Sequence, residues 1–203
     1  MPELKGEARP KKRFKNYPIG YFHVDIAEVR TGEGKLYLFV AIDRTSKLTY
    51  AELHESQRRA IAMGFLIRLT KRVPYRIHTV LTDNGIQFAN RAQDRWDGRH
   101  LFDRICARYG IEHRRTRPNH PWTNGQVERM NRTLKEATVR RYHYERHAEL
   151  REHLKAFVLA YNFAKRLKTL RGLTPYEFIC AEWERSPEPF VRDPIHDTLG
   201  LYT

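Results

Sequence analysis

The sequence has few cysteines and no long apolar run, and each shortage excludes a class of protein. Its two cysteines, Cys106 and Cys180, lie far apart among apolar or helix-forming neighbours. We therefore expect free thiols and no disulfide framework. No Cys-x-x-Cys pair accompanies the ten histidines, so a zinc finger is excluded. No stretch approaches the roughly 18 apolar residues of a membrane span, and we expect a soluble cytoplasmic protein with no membrane partner.

Acidic residues are scarce relative to basic ones. The 203 residues include 38 Lys and Arg against 24 Asp and Glu, which gives a net charge of +14. The basic residues are spread along the chain and interleaved with aromatic residues, so a nucleic acid is a better partner than a membrane surface. A histone-like packaging protein is disfavoured, because 40% of the residues are hydrophobic and indicate a folded core.

Composition divides the chain into three parts. Residues 1–18 are a basic arm or linker, residues 19–145 alternate strand and helix patterns, and residues 146–203 are a C-terminal helical extension with a tail. The arm carries six basic residues: Lys5, Arg9, Lys11, Lys12, Arg13 and Lys15. Such an arm is either a disordered solubilising tail or a DNA-phosphate contact, and the sequence leaves both possibilities open.

The middle part has the pattern of an α/β domain. Apolar alternation predicts three strands joined by short turns: one through Asp25, one over Lys35 to Ile42 and one over Leu48 to Leu53. A helix over residues 56–71, capped by Ser56, leads to a fourth strand over residues 76–82. A helix over residues 101–109 leads to a fifth strand from Ile111. A strand reached through a helix is most simply a parallel crossover, so we expect a mixed five-stranded sheet flanked by helices.

Three carboxylates occur where ordinary packing does not explain them. Asp25 lies within the first predicted strand, and Asp83 follows the apolar run Thr79 to Leu81 at the carboxyl end of the fourth. Glu128 is one residue off the apolar stripe of a helix over residues 123–141, near its N-terminus. Oxygen ligands of this kind suit a hard metal ion. Asp43, by contrast, is first a turn residue.

Basic residues flank these carboxylates in the sequence. Arg132 and Lys135 share a helical face with Glu128, and an arginine-rich segment follows the fifth strand. Contacts with DNA phosphates and a solvated charged face are both open explanations. The candidate DNA-binding residues are Arg114, Arg115, Arg117, Arg129, Arg132 and Lys135.

The order of these motifs resembles the integrase core of the DDE recombinases, and most closely that of transposases of bacterial insertion sequences. The resemblance rests on Phe22 to Asp25, Leu81 to Gly85, Gly110 to His113 with Arg117-Pro118, and Thr123 to Arg129 with its continuation to Leu134. It implies an RNase H-like fold, in which Asp25, Asp83 and Glu128 are the catalytic acidic triad. It covers roughly residues 21–178.

The resemblance also implies a reaction and its partners. We expect metal-dependent DNA strand cleavage and strand transfer in transposition, with two Mg²⁺ or Mn²⁺ ions held by the triad. The partners would be double-stranded DNA, as transposon ends and target, and further copies of this chain in a homodimer or higher oligomer. The expected location is the bacterial cytoplasm, in association with the nucleoid.

The sequence departs from the family pattern at several points. The interval between Asp83 and Glu128 is long, and we assign the surplus to a loop over residues 90–100. Gln87 stands where the family often has Glu. The residues before the core show no helix-turn-helix pattern, so we expect either a truncated product or an excised core. The alternative function is that of a truncated, non-catalytic fragment that binds DNA or full-length transposase as a regulator. An RNase H-type hydrolase shares the fold but does not call for the helix start at Asn124 to Arg129.

Overall fold

The computed structural model describes residues 17–90, 100–116 and 125–196. The described part contains one five-stranded sheet with the strand order β3-β2-β1-β4-β5. The strands are β1 (Tyr21–Thr31), β2 (Gly34–Asp43), β3 (Thr49–His54), β4 (Thr79–Thr82) and β5 (Glu112–Arg115). The α-helices are α1 (Arg59–Arg72), α2 (Leu101–Arg108), α3 (Gly125–Ala137), α4 (His147–Phe163) and α5 (Pro175–Arg185). The predicted mixed sheet with flanking helices is confirmed.

Strands β1, β2 and β3 form the predicted antiparallel meander. Phe22 lies opposite Asp43 at one end of the first hairpin, and Thr31 lies opposite Gly34 at its turn. Gly34 has φ +124°, a backbone conformation that favours glycine. Asp43 is fully buried, and its carboxylate accepts hydrogen bonds from the backbone N–H groups of Gly20, Thr45 and Ser46 at 2.7–2.9 Å. Asp43 is therefore the turn residue that the sequence predicts.

Strands β4 and β5 run parallel to β1, as the crossover argument predicts. The predicted β4 is too long, because the strand begins at Thr79 and not at Arg76. Tyr75 forms a bridge with Phe190, and the Arg76 N–H donates to the Pro189 carbonyl at 2.8 Å. The C-terminal segment thus takes the hydrogen bonds that a longer β4 would need from the sheet.

Helix α1 begins later than predicted, and Ser56 is not its cap. The N-cap residue is Arg58, whose side chain makes no capping hydrogen bond. The buried face of α1 starts at Ala62 and continues through Phe65, Leu66 and Leu69. A helix from Ser56 would add a first turn that buries no side chain, so tertiary packing overrides the local capping signal.

Alternate residues of β2 face the two sides of the sheet, and helices cover both sides. Phe39 and Ala41 belong to one apolar cluster, which α1 and α2 cover together with Ile179 of α5. Leu36, Leu38, Val40 and Ile42 belong to the other cluster, which includes residues of α3 and α4. Helices α4 and α5 of the predicted C-terminal extension therefore pack on opposite faces of the sheet.

Within the described ranges, Cys106 is a free and buried cysteine, and Cys180 is partly buried. The helices of the described part include none that is long and apolar enough to cross a bilayer.

Candidate functional site

Helix α3 lies against the sheet and brings Glu128 to the region of β1. Its buried residues Val127, Met130 and Leu134 belong to the apolar cluster over β1 and β2. Burial of this stripe leaves Glu128 exposed in the first turn of the helix. The predicted cap, Thr123, lies outside the described residues, as do residues 91–99 of the predicted loop.

Asp25 lies in the middle of β1, and both of its carboxylate oxygens accept hydrogen bonds. The backbone N–H of Ile26 donates to Oδ1 at 2.9 Å, and Asn131 Nδ2 donates to Oδ2 at 2.6 Å. Asn131 is 6% exposed and belongs to the inward face of α3. A short hydrogen bond to a charged acceptor fixes the orientation of that acceptor, so α3 holds the Asp25 carboxylate in place.

Asn131 is not among the predicted site residues, although the sequence pattern contains a signal for it. Asn131 lies between Val127 and Leu134, at helical spacing from each of these buried residues. A polar side chain on an otherwise apolar face needs a buried partner, and its partner here is Asp25.

Asp83 directly follows β4, next to β1 in the sheet. The parallel register places His23 opposite Leu81, so the carboxyl end of β4 lies close to Asp25. The Gly85 N–H donates to Asp83 Oδ1 at 2.9 Å, which makes a local turn and leaves the side chain exposed. A Cβ atom at Gly85 would lie 2.5 Å from Gln87 Oε1 and 3.0 Å from Asp83 Oδ1, so only glycine fits without a shift.

Buried polar residues support the end of β4. Thr82 Oγ1 lies 2.9 Å from His113 Nε2, and His113 Nδ1 lies 2.5 Å from Asp103 Oδ1. Burial lowers the pKa of His113, while Asp103 raises it. These two contacts connect α2, β5 and β4 immediately beside Asp83. They fix the backbone from which the Asp83 side chain extends.

The charges of Asp83 and Glu128 act on the Asp25 carboxyl group. Burial raises the pKa of Asp25, and repulsion from Asp83 and Glu128 raises it further, while the Ile26 N–H and the Asn131 amide oppose both effects. Carboxylates raise the pKa of a neighbouring carboxyl group in this way only when they lie close to it. The structure thus brings Asp25, Asp83 and Glu128 into one region.

The donor set fits a hard divalent cation by its chemistry. All three groups are oxygen donors, and a bound cation would offset the repulsion that raises the pKa of Asp25. The side chains of the described residues do not, however, form a group of three or more His, Cys, Asp or Glu arranged to hold a metal ion. Both Asp25 oxygens are instead engaged by protein donors.

The predicted DNA-binding residues fall into two groups. Arg114 of β5 makes a two-pronged ion pair with Glu112, at 2.8 and 2.7 Å, and Arg115 beside it is exposed. Helix α3 carries the second group, in which Arg129 and Arg132 are exposed and Lys135 is partly buried. Arg117 lies outside the described residues. These DNA contacts stay predictions.

The sequence matches the integrase core domain family over residues 15–121, and a second integrase core domain description over residues 109–175. It is 33% identical over 122 residues to the uncharacterized protein K02A2.6 of Caenorhabditis elegans. It is 25% identical over 111 residues to a retrovirus-related Pol polyprotein from transposon TNT 1-94 of Nicotiana tabacum. These matches cover 58% and 54% of this chain but only 8% of each relative.

Solved structures of viral integrases share the fold. An intasome of simian T-cell lymphotropic virus, in complex with a PP2A regulatory subunit, matches with a TM-score of 0.67 at 22% identity, over 84% of this chain and 58% of that one. The catalytic core domain of BIV integrase matches with a TM-score of 0.59 at 22% identity, over 83% of this chain and 98% of that one. The HTLV-2 integrase catalytic core domain in complex with magnesium, in a trimeric form, matches with a TM-score of 0.61 at 17% identity, over 79% of this chain and 96% of that one. These likenesses confirm the RNase H-like fold.

Proposed function

The chain belongs to the integrase core domain family, and from this premise we propose that it cleaves DNA strands and joins their 3′-hydroxyl ends to target DNA. The observation that carries the proposal is the coupling of Asp25 to Asp83 and Glu128. Three acidic residues from β1, from the end of β4 and from α3 that lie close together are costly unless their charges serve a ligand.

The ligands we propose for this site are two Mg²⁺ or Mn²⁺ ions. Asp25, Asp83 and Glu128 would hold them. Bound there, the ions would activate the attacking oxygen and stabilise the leaving oxygen of an in-line phosphoryl transfer. The HTLV-2 integrase core was solved in complex with magnesium, which supports this choice of metal.

The chain's own groups would orient the reacting parts. The Asn131 amide and the Ile26 N–H hold the Asp25 carboxylate, and the Gly85 N–H holds that of Asp83. Arg132 and Lys135 follow Glu128 on one face of α3, where they would hold the phosphate backbone beside the scissile bond. We propose that DNA bound in this way has its reacting phosphate at the exposed side chains of Asp83 and Glu128.

The proposed partners are double-stranded DNA and further copies of this chain. A transposase acts on two element ends and a target, so we propose at least a dimer. The intasome and the trimeric HTLV-2 core show that the neighbours in fold assemble. Since the chain spans 8% of the curated relatives it matches, the substrate of those whole proteins is not assigned to it.

A second candidate is a non-catalytic regulator that binds DNA or a complete transposase. The observation that favours it is the engagement of both Asp25 oxygens by protein donors, which leaves this carboxylate hydrogen-bonded as a structural group would be. The regulator would bind DNA through the same basic face of α3 and leave the DNA strands intact.

Strand cleavage of an end-labelled duplex in Mn²⁺ or Mg²⁺ separates the two candidates. We expect the wild-type chain to cleave and Glu128→Gln to lose at least about a hundredfold in rate, the scale of losing a preorganised electrostatic group. Arg140→Ala, which changes an exposed residue beyond α3, is the matched control and should cleave normally. DNA binding without cleavage by the wild-type chain would favour the regulator.

A further inference from the structure

A basic groove lies apart from the three carboxylates. A cleft of about 870 Å³ is enclosed by residues 17–19, the β2–β3 turn, the segment around Leu170 and the C-terminal part of α5. A second cavity of about 300 Å³ shares Lys47, Gln126 and Thr169 with it and is also lined by Arg129 and Lys165. We call the two together the basic groove.

The groove has a strong excess of positive charge. Among its described lining residues the one carboxylate is that of Glu182, and it is paired with Arg185 at 2.5 Å. Charges of one sign that converge on a concave surface focus the electrostatic field and attract a polyanion. The cationic lining residues are Arg44, Lys47, Arg129, Lys165, Arg171 and Arg185.

Two of these cations occupy unusual backbone conformations. Lys47 has φ +63° and Arg171 has φ +56°, and in the described part of the chain they are the non-glycine residues with positive φ. Glycine or asparagine is the ordinary choice at such positions. That both residues are basic and both line this groove indicates that their charges matter more than the backbone cost.

The side chains of the β2–β3 turn are held toward the groove. The Arg44 guanidinium lies 4.5 Å from the centre of the Tyr17 ring and 5.7 Å from that of Tyr21. Lys47 Nζ donates to the Arg44 carbonyl and lies 3.5 Å from Gln126 Oε1. Burial lowers the pKa of Lys47, and the charges of Arg44 and Arg129 add to this effect against the attraction of Asp43. A bound anion would relieve this repulsion.

The N-terminal arm joins the described chain at this groove, since Tyr17 and Pro18 line it. Residues 1–16 contain six lysines and arginines. Basic residues that adjoin the groove in sequence suit a polyanionic ligand.

We propose that the basic groove binds the sugar-phosphate backbone of DNA, at a place separate from Asp25, Asp83 and Glu128. The inference rests on the proposed function in taking DNA as the ligand, and it adds a second DNA contact surface. Helix α3 connects the two surfaces, because Glu128 lies at the acidic region and the neighbouring Gln126 and Arg129 line the groove.

The test is duplex binding by the full 203-residue chain in EDTA, measured by fluorescence anisotropy over a range of salt concentrations. The double variant Lys47→Gly with Arg171→Gly removes two charges and supplies the residue that these backbone conformations favour. We expect affinity to fall about tenfold at moderate salt and the slope of log K against log salt to decrease by about 2, because two phosphate contacts are lost. The melting temperature should stay within about 3 °C of the wild-type value.

The matched control is Lys71→Ala with Lys155→Ala, which removes two exposed charges from α1 and α4 outside the groove. If the control lost as much affinity for DNA, or if the double variant bound DNA as tightly as the wild-type chain, the proposed role of the groove would be refuted. The proposed function would be unaffected. Absence of DNA binding by the wild-type chain would overturn both. Should the double variant be unstable, Arg171→Gly alone decides the matter, with an expected slope change of about 1.

Discussion

Asn162 connects the C-terminal helix α4 to the outer strand of the sheet, and its removal should measurably destabilise the fold. Its Oδ1 accepts from the Thr49 N–H at 2.9 Å, and its Nδ2 donates to the Thr49 carbonyl at 2.8 Å. Asn162 is 1% exposed and Thr49 2%. Strand β3 is the last strand on its side, so β2 cannot supply partners for these outward-facing groups.

Asn162→Ala leaves one N–H and one C=O of Thr49 without their partner in a buried setting. Each such group costs about 1–3 kcal/mol, so we expect a loss of about 3 kcal/mol in the free energy of unfolding, allowing for some access of water. Urea denaturation followed by circular dichroism measures the change.

Glu152→Ala is the control for this experiment, because it truncates an exposed side chain of the same helix. It should alter the free energy of unfolding by less than about 0.5 kcal/mol. A loss below about 1 kcal/mol for Asn162→Ala would refute the reasoning, since it would mean that α4 does not hold β3 through this pair of hydrogen bonds.

Other buried polar groups give three further predictions. Asp43→Ala removes the acceptor of three backbone N–H groups, and we expect it to lower the free energy of unfolding by about 4 kcal/mol in urea denaturation; a loss under about 1 kcal/mol contradicts the turn assignment. Asn131→Ala removes the amide that orients Asp25, so kcat of strand cleavage should fall about tenfold with KM for DNA unchanged; an unaltered kcat shows that Asn131 does not position Asp25. Burial raises the pKa of Glu52, but hydrogen bonds with Arg68, His54 and Tyr50 outweigh this effect and lower the pKa to about 2. Because this pKa is depressed on folding, the stabilisation is present above the unfolded value near 4.5 and is lost as the pH falls from about 5 to 2. In Glu52→Gln the free energy of unfolding, measured by urea denaturation, should therefore fall less steeply over this pH range. An equally steep fall in the variant would contradict this role of Glu52.

Local sequence patterns were sufficient for most of the fold. Apolar alternation located β1 to β3, and Thr174 and Glu177 at capping-box spacing mark the start of α5, where both capping hydrogen bonds are present. These features depend on neighbours in sequence, so a single sequence contains their cause. The start of β4 and the cap of α1 were missed because each is decided by packing. Pro189 lies far from Arg76 in sequence, and its carbonyl accepts the Arg76 N–H, so β4 begins only at Thr79.

The candidate site was predictable in part. The carboxylates stand out because each occupies a position that packing alone does not require, and the resemblance to integrase cores grouped them. The hydrogen bond from Asn131 to Asp25 joins α3 to β1, and only the fold shows it. Of the basic residues of the groove, the sequence singled out Arg129 alone, since Lys47, Arg129 and Arg171 are far apart in the chain and converge only after folding.

The most direct test of the central claim is strand transfer by the full chain. A labelled duplex with a free 3′-hydroxyl end is incubated with supercoiled plasmid in Mg²⁺ or Mn²⁺, and joined product is scored for the wild-type chain, Asp25→Asn and the control Arg140→Ala. We predict joined product for the wild-type chain and the control, and none for Asp25→Asn, although this variant still binds DNA. Joining by Asp25→Asn at the wild-type rate would contradict the proposed site.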